Sequence, residues 1–75
     1  MPADDDLSAL HCHLGEVLAA RGTTLAELSR TIGVTQANLS VLKNDRAKAI
    51  RFSTLIAICA ALDCQPGDLF SVRAS

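Results

Sequence analysis

The side chains of this 75-residue sequence that could do chemistry fall into separate groups. His11, Cys12 and His13, with Cys59 and Cys64 elsewhere, offer the donors a zinc ion takes. Zinc sites usually pair their ligands at spacings such as C-x2-4-C with H-x3-5-H, which this chain lacks. Adjacent His-Cys-His residues on a strand also point to opposite faces, and Cys59 falls on the apolar stripe of a helix. No metal and no cofactor is therefore expected. Asp4, Asp5 and Asp6 read as a solvated tail rather than an acid catalyst. No glycine-rich phosphate loop, carboxylate pair or nucleophile with a base occurs, and so small a domain has little depth for a pocket. The expectation is not an enzyme, with no small-molecule substrate.

A different chemistry is carried by Gln36, Ala37, Asn38, Ser40 and Val41, which are small or amide side chains with no acid among them. Gln36 can make paired hydrogen bonds to an adenine edge, and Ala37 or Val41 can touch a thymine methyl. Lys43, Arg46, Lys48 and Arg51 follow closely and could grip a phosphate backbone. Formal net charge is only -1, yet residues 24–51 hold Arg30 and those four cations against Glu27 and Asp45, leaving +3. Positive charge is thus concentrated where the amides are.

The elements that must position these groups can be read from local signals. Leu14, Val17 and Leu18 recur at helical spacing, and Gly22 is placed to end a first helix over Leu14–Arg21. Upstream, Leu10, Cys12 and Leu14 alternate with His11 and His13, which suits a short strand. Thr24 followed by Glu27 has the form of a capping box, so a second helix starts at Leu25 and stops at Gly33. Thr35 caps a third helix that turns Leu39 and Leu42 inward and closes at Asn44. Ser53 or Thr54 opens a fourth, with Leu55, Ile56, Ile58, Cys59 and Leu62 as a wide apolar stripe. Pro66 opens a last short turn through Leu69 and Phe70.

Between Leu25 and Leu42 the sequence LAELSRTIGVTQANLSVL looks like a helix-turn-helix. Two helices crossing through a short turn need a small residue at the crossing, a turn glycine and aliphatics on either side. Ser29, Gly33, and Leu28, Ile32, Val34, Leu39 and Leu42 supply these.

Composition agrees with a single helical domain: 49% of residues are apolar, and Phe52 and Phe70 are the only aromatics. We divide the chain into an acidic tail at 1–6, one packed unit at 7–70 and a C-terminal tail at 71–75. The longest apolar run, residues 55–62, is far short of the roughly 20 residues that span a bilayer. The N-terminal segment lacks the basic, then apolar, pattern of a secretory signal, and three cysteines do not describe a disulfide framework. A cytoplasmic protein with reduced thiols and no membrane association is expected.

On these residues the chain resembles the lambdoid phage repressor and Cro (XRE) family of helix-turn-helix regulators over about residues 14–70. The similarity is greatest to minimal, single-domain bacterial members, carried by NLSVLKNDRAKAIRFSTLIAICAALDCQPGDLF from Asn38 to Phe70. The resemblance implies an all-α, compact five-helix bundle of the lambda-repressor-like type, to which the N-terminal alternation can add a short strand. It also implies a transcriptional regulator, expected to be a repressor, that reads double-stranded DNA with its third helix in the major groove, usually as a homodimer. Carried over by position, Gln36, Ala37 and Ser40 match base-facing residues. Thr35 and Asn38 lie near phosphate, and Arg51 with the Phe52 N–H matches a backbone contact. With Val41 added, Gln36, Ala37, Ser40 and Val41 form the expected base-contacting set. The phosphate-contacting set is Thr24, Thr35, Asn38, Lys43, Asn44, Arg46, Lys48, Arg51 and Phe52. Leu25 stands where many members have a phosphate-binding Gln, and Ser29 where Ala is usual. The alternative is a helix-turn-helix adaptor or antitoxin that binds protein and has little DNA affinity of its own.

Overall fold

The computed structural model describes residues 9–44, 46–47 and 49–72. The acidic segment 1–6, Asp45, Lys48 and Arg73 lie outside the described residues. The chain runs through strand β1 (Leu10–Cys12) and helices α1 (Leu14–Arg21), α2 (Leu25–Ile32) and α3 (Gln36–Lys43). It continues through α4 (Phe52–Leu62) and α5 (Pro66–Leu69) to strand β2 (Phe70–Val72). This is the expected bundle of five helices with a short N-terminal strand.

Local chemistry explains most of the boundaries. Gly22 and Gly33 end α1 and α2 with φ of 64° and 73°, a left-handed conformation that is cheap without a Cβ. Thr24 and Glu27 make the reciprocal capping box at the start of α2, and the Thr35 hydroxyl accepts from the Asn38 N–H at the start of α3. Helix α4 corrects the expectation that Ser53 or Thr54 opens it. Its N-cap is Arg51, in extended conformation and without a side-chain cap bond, and the Leu55 N–H donates to the Arg51 carbonyl at 3.0 Å. Such a start carries no capping hydroxyl.

The C-terminal end of α4 is unusual. Asp63 takes φ 51°, the one positive φ outside glycine among the described residues. From α1, Arg21 reaches across: its Nε donates to the Leu62 carbonyl at 2.7 Å and its Nη2 to the Asp63 carbonyl at 3.0 Å. The guanidinium thus satisfies carbonyls that a helix end leaves open, and its charge faces the negative end of the helix dipole.

Leu14, Leu28, Leu39, Ile58 and Leu69 are fully buried, so every helix sends one side chain to the common centre. Each is worth roughly 1.5–3 kcal/mol relative to exposure. Cys12, Leu18, Leu42, Leu62 and Cys64 complete the core. The stripe predicted on α4 is narrower than expected: Leu55, Ile58, Cys59 and Leu62 turn inward, while Ile56 is 67% exposed. Residues three and four apart share a helix face, which groups Leu55 with Ile58, Cys59 and Leu62 and puts Ile56 beside Phe52 and Ala60 instead.

Strands β1 and β2 pair antiparallel, with Leu10 opposite Val72, His11 opposite Ser71 and Cys12 opposite Phe70. The His13 N–H extends the ladder to the Leu69 carbonyl at 2.6 Å. Among the described residues no helix is long and apolar enough to cross a membrane.

Candidate nucleic-acid interface

Helices α2 and α3 pack against each other through a tight turn at residues 33–35. Leu28 and Leu39, both buried, fix the two helices to the core from either side of the turn. The Ser29 hydroxyl donates to the Val34 carbonyl at 2.6 Å, so the residue at the crossing also locks the turn. The sequence pattern asks only for a small side chain at the crossing and carries no signal for this bond.

With Leu39 and Leu42 turned inward, α3 exposes Gln36, Ala37, Asn38 and Val41. Its first turn contains no acid. Ser40 is half-buried, and its hydroxyl accepts from Asn44 Nδ2 at 3.2 Å. Residues 36, 37, 40 and 41 lie on one side of the helix, at the i and i+4 spacing that stacks side chains on one face. The four residues expected to contact bases are therefore brought together on one face, with Ser40 set deepest.

An open cleft of about 550 Å³ runs beside α3 toward the start of α4. Thr35, Asn38, Arg46 and Arg51 are among its lining residues, over a floor that includes Leu39, Leu42 and Ile50. Four of the expected phosphate-contacting residues thus share one groove, two of them exposed arginines. The cleft ends at the N-terminus of α4, where backbone N–H groups and the positive end of the helix dipole favour an anion.

The other members of that set are placed less directly. The stem of Lys43 lies along α1 at Gly15, where an added Cβ would come within 3.1 Å of Lys43 Cε. Asn44 closes α3 and is tied to Ser40. Thr24 is held in the capping box: its N–H and its hydroxyl donate to Glu27 Oε1 at 3.0 and 3.1 Å. These bonds, the backbone one first, hold the Glu27 carboxyl below the ordinary carboxylate range, so a charged group sits beside Thr24. The Phe52 ring is 82% exposed at the first position of α4. Lys48 lies outside the described residues. Arg21, the single cation of the first helix, is engaged at the end of α4 rather than turned to the cleft.

A model of the Cro/C1-type HTH DNA-binding domain matches residues 13–75. The chain belongs to that family. The chain is 54% identical over 65 residues to an uncharacterized HTH-type transcriptional regulator, YozG, of Bacillus subtilis (strain 168). The alignment covers 87% of this chain and 77% of that protein. No solved structure matches significantly. Membership is in a family of DNA-binding regulators, not of enzymes.

Away from the helix-turn-helix, the fold gathers side chains that the sequence leaves apart. Cys12 turns into the core, whereas His11 and His13, two apart on the strand path, stay on the other side with their ring centroids 4.5 Å apart. His13 Nδ1 lies 2.8 Å from Glu16 Oε2, and His13 Nε2 lies 2.6 Å from Ser71 Oγ. All three cysteines are free thiols. Burial pushes the Cys64 thiol up, the neighbouring Cys59 adds to this, and Arg21 opposes it only weakly.

Proposed function

We propose that this chain is a sequence-specific, double-stranded DNA-binding transcriptional repressor that inserts α3 into the major groove and acts in the cytoplasm as a homodimer. The observation that carries this reading is the junction of two surfaces. The acid-free face of α3, with Gln36, Ala37 and Val41 exposed, adjoins the cleft that contains Thr35, Asn38, Arg46 and Arg51. Base edges would be read by the first surface and the flanking phosphates held by the second.

One protomer presents few free cations, so its own affinity is expected in the nonspecific range of roughly 10⁻⁴ to 10⁻⁶ M. Pairing two protomers on half-sites about 34 Å apart would raise this without new contacts to each half-site. The test is selection of bound sequences from a randomised duplex pool, followed by titration of variants on the selected site. Gln36→Ala is expected to relax preference at one or two base pairs and to cost about 1–3 kcal/mol on that site. Equal loss on random DNA would contradict base reading. Arg46→Gln and Arg51→Gln are expected to weaken binding to all duplexes alike and to flatten the logarithmic salt slope by about 0.9 per protomer.

A protein-binding adaptor is the second reading, favoured by the exposure of Phe52 and Ile56 one turn apart on α4. Failure of the chain to retard any duplex at low salt would favour it.

A further inference from the structure

We propose that His11, His13 and Glu16 form a binding site for one first-row divalent transition-metal ion of the Zn²⁺ class, at the seam where β1 runs into α1. The donor atoms of these three residues all lie within 4.8 Å of one another. Two imidazoles and a carboxylate suit Zn²⁺, Ni²⁺ or Cu²⁺, whereas Mg²⁺ and Ca²⁺ prefer oxygen donors alone. In a tetrahedral site with bonds of about 2.0–2.2 Å, neighbouring donors sit roughly 3.3–3.5 Å apart. Closing around an ion therefore takes shifts of about an ångström in the donor positions.

The donors are held by two adjoining elements of the fold. His11 is fixed by its pairing with Ser71 in the two-stranded ladder. His13 is the N-cap of α1, and Glu16 stands in the first turn of that helix. The spacing His-x-His followed by Glu three residues later thus becomes a cluster only because a strand leads directly into a helix. Cys12, between the histidines, faces the core and is no part of it.

His13 also has the supporting contact that metal-bound histidines usually show. As the site stands, Nδ1–H donates to Glu16 Oε2 and Nε2 faces the Ser71 hydroxyl. An ion on Nδ1 would move the ring proton to Nε2, where Ser71 Oγ accepts it and fixes ring orientation. His13 and Glu16 also open onto a shallow cleft of about 310 Å³, which leaves room for a water as the remaining ligand. The inference does not depend on the DNA-binding reading, since no residue of α3 takes part.

The test uses the reduced, untagged chain near neutral pH, titrated calorimetrically with ZnCl₂ and followed by the NMR signals of its two imidazoles, which are His11 and His13. The expected result is one Zn²⁺ per chain, both imidazoles shifted together, and a thermal midpoint that rises with Zn²⁺. His11→Gln and Glu16→Gln, at partly or fully exposed positions, are expected to lower affinity at least tenfold, in line with loss of one ligand. Co²⁺ in place of Zn²⁺ should give a spectrum without thiolate charge transfer. Absence of saturable binding at millimolar Zn²⁺, an unshifted His11 imidazole, unchanged affinity in both variants, or a thiolate band would each overturn the proposal.

Discussion

Replacing Arg21 with Met would separate stability from DNA binding in this domain. Methionine keeps an aliphatic stem along α1 but removes both donors to the end of α4 and the charge at that end. A hydrogen bond from a charged group is worth about 1.5–3 kcal/mol when well buried. The bond to the Leu62 carbonyl is only partly buried and that to Asp63 is exposed, so about 1 and 0.5 kcal/mol are appropriate here. A cation in the last turn adds roughly 0.3–1 kcal/mol through the helix dipole. Together these predict a loss of about 2 kcal/mol. For a domain this size that lowers the thermal midpoint by about 10 °C, and the urea midpoint by about 2 M if the slope is near 1 kcal/mol per M. Far-ultraviolet circular dichroism against urea measures it directly. Duplex binding, measured at a temperature where both proteins are folded, should keep its affinity and salt slope. A variant of unchanged stability, or one that stays stable but loses salt-dependent binding, would refute the reasoning and make Arg21 a phosphate contact.

Ser29→Ala removes the hydroxyl bond to the Val34 carbonyl and should cost about 1 kcal/mol, with faster amide hydrogen exchange confined to the α2–α3 turn. Uniform exchange across the domain would argue against a local lock. Asp63→Gly relieves a left-handed backbone at a residue with a Cβ, so the thermal midpoint should rise by a few degrees, about 0.5 kcal/mol; a fall would mean the aspartate side chain stabilises the turn. Glu27→Gln should flatten the acid limb of the stability curve. The folded carboxyl is held low, so its contribution is present above the ordinary carboxylate range and disappears as pH falls through the depressed folded value. Identical acid limbs in variant and wild type would show that the Thr24 bonds are not coupled to folding.

Helices α1, α2 and α3 were legible because their limits are written in neighbouring residues: Gly22 and Gly33 stop two of them, and Thr24 and Thr35 start two. The start of α4 is not written in its side chains: Arg51 caps it without a side-chain bond, whereas the hydroxyls of Ser53 and Thr54 signal a start further along. Ile56 cannot be told from its neighbours in sequence because the run from Leu55 to Leu62 is apolar on every side, so only packing decides which residues turn inward. The face of α3 could be read from what remains after Leu39 and Leu42 are buried, whereas the groove shared by Thr35, Asn38, Arg46 and Arg51 depends on how the segment after α3 folds back beside it. Contacts across long stretches of chain were invisible. Arg21 meets the end of α4, and His13 meets Ser71, at sequence separations of 41 and 58. No local pattern encodes either.

The pairing of Leu10 with Val72 brings the first and last strands of the described chain side by side, far along the sequence from each other. Closing so long a loop costs several kcal/mol of chain entropy, so this clasp should be among the last parts to form and the first to open. The same adjacency makes the domain a natural subject for circular permutation. A short peptide could join the two strands, and new termini could be cut at the exposed Gly22, leaving the α2–α3 unit contiguous. Such a permuted chain would show whether the helix-turn-helix needs the clasp as a covalent neighbour or only as a packed one.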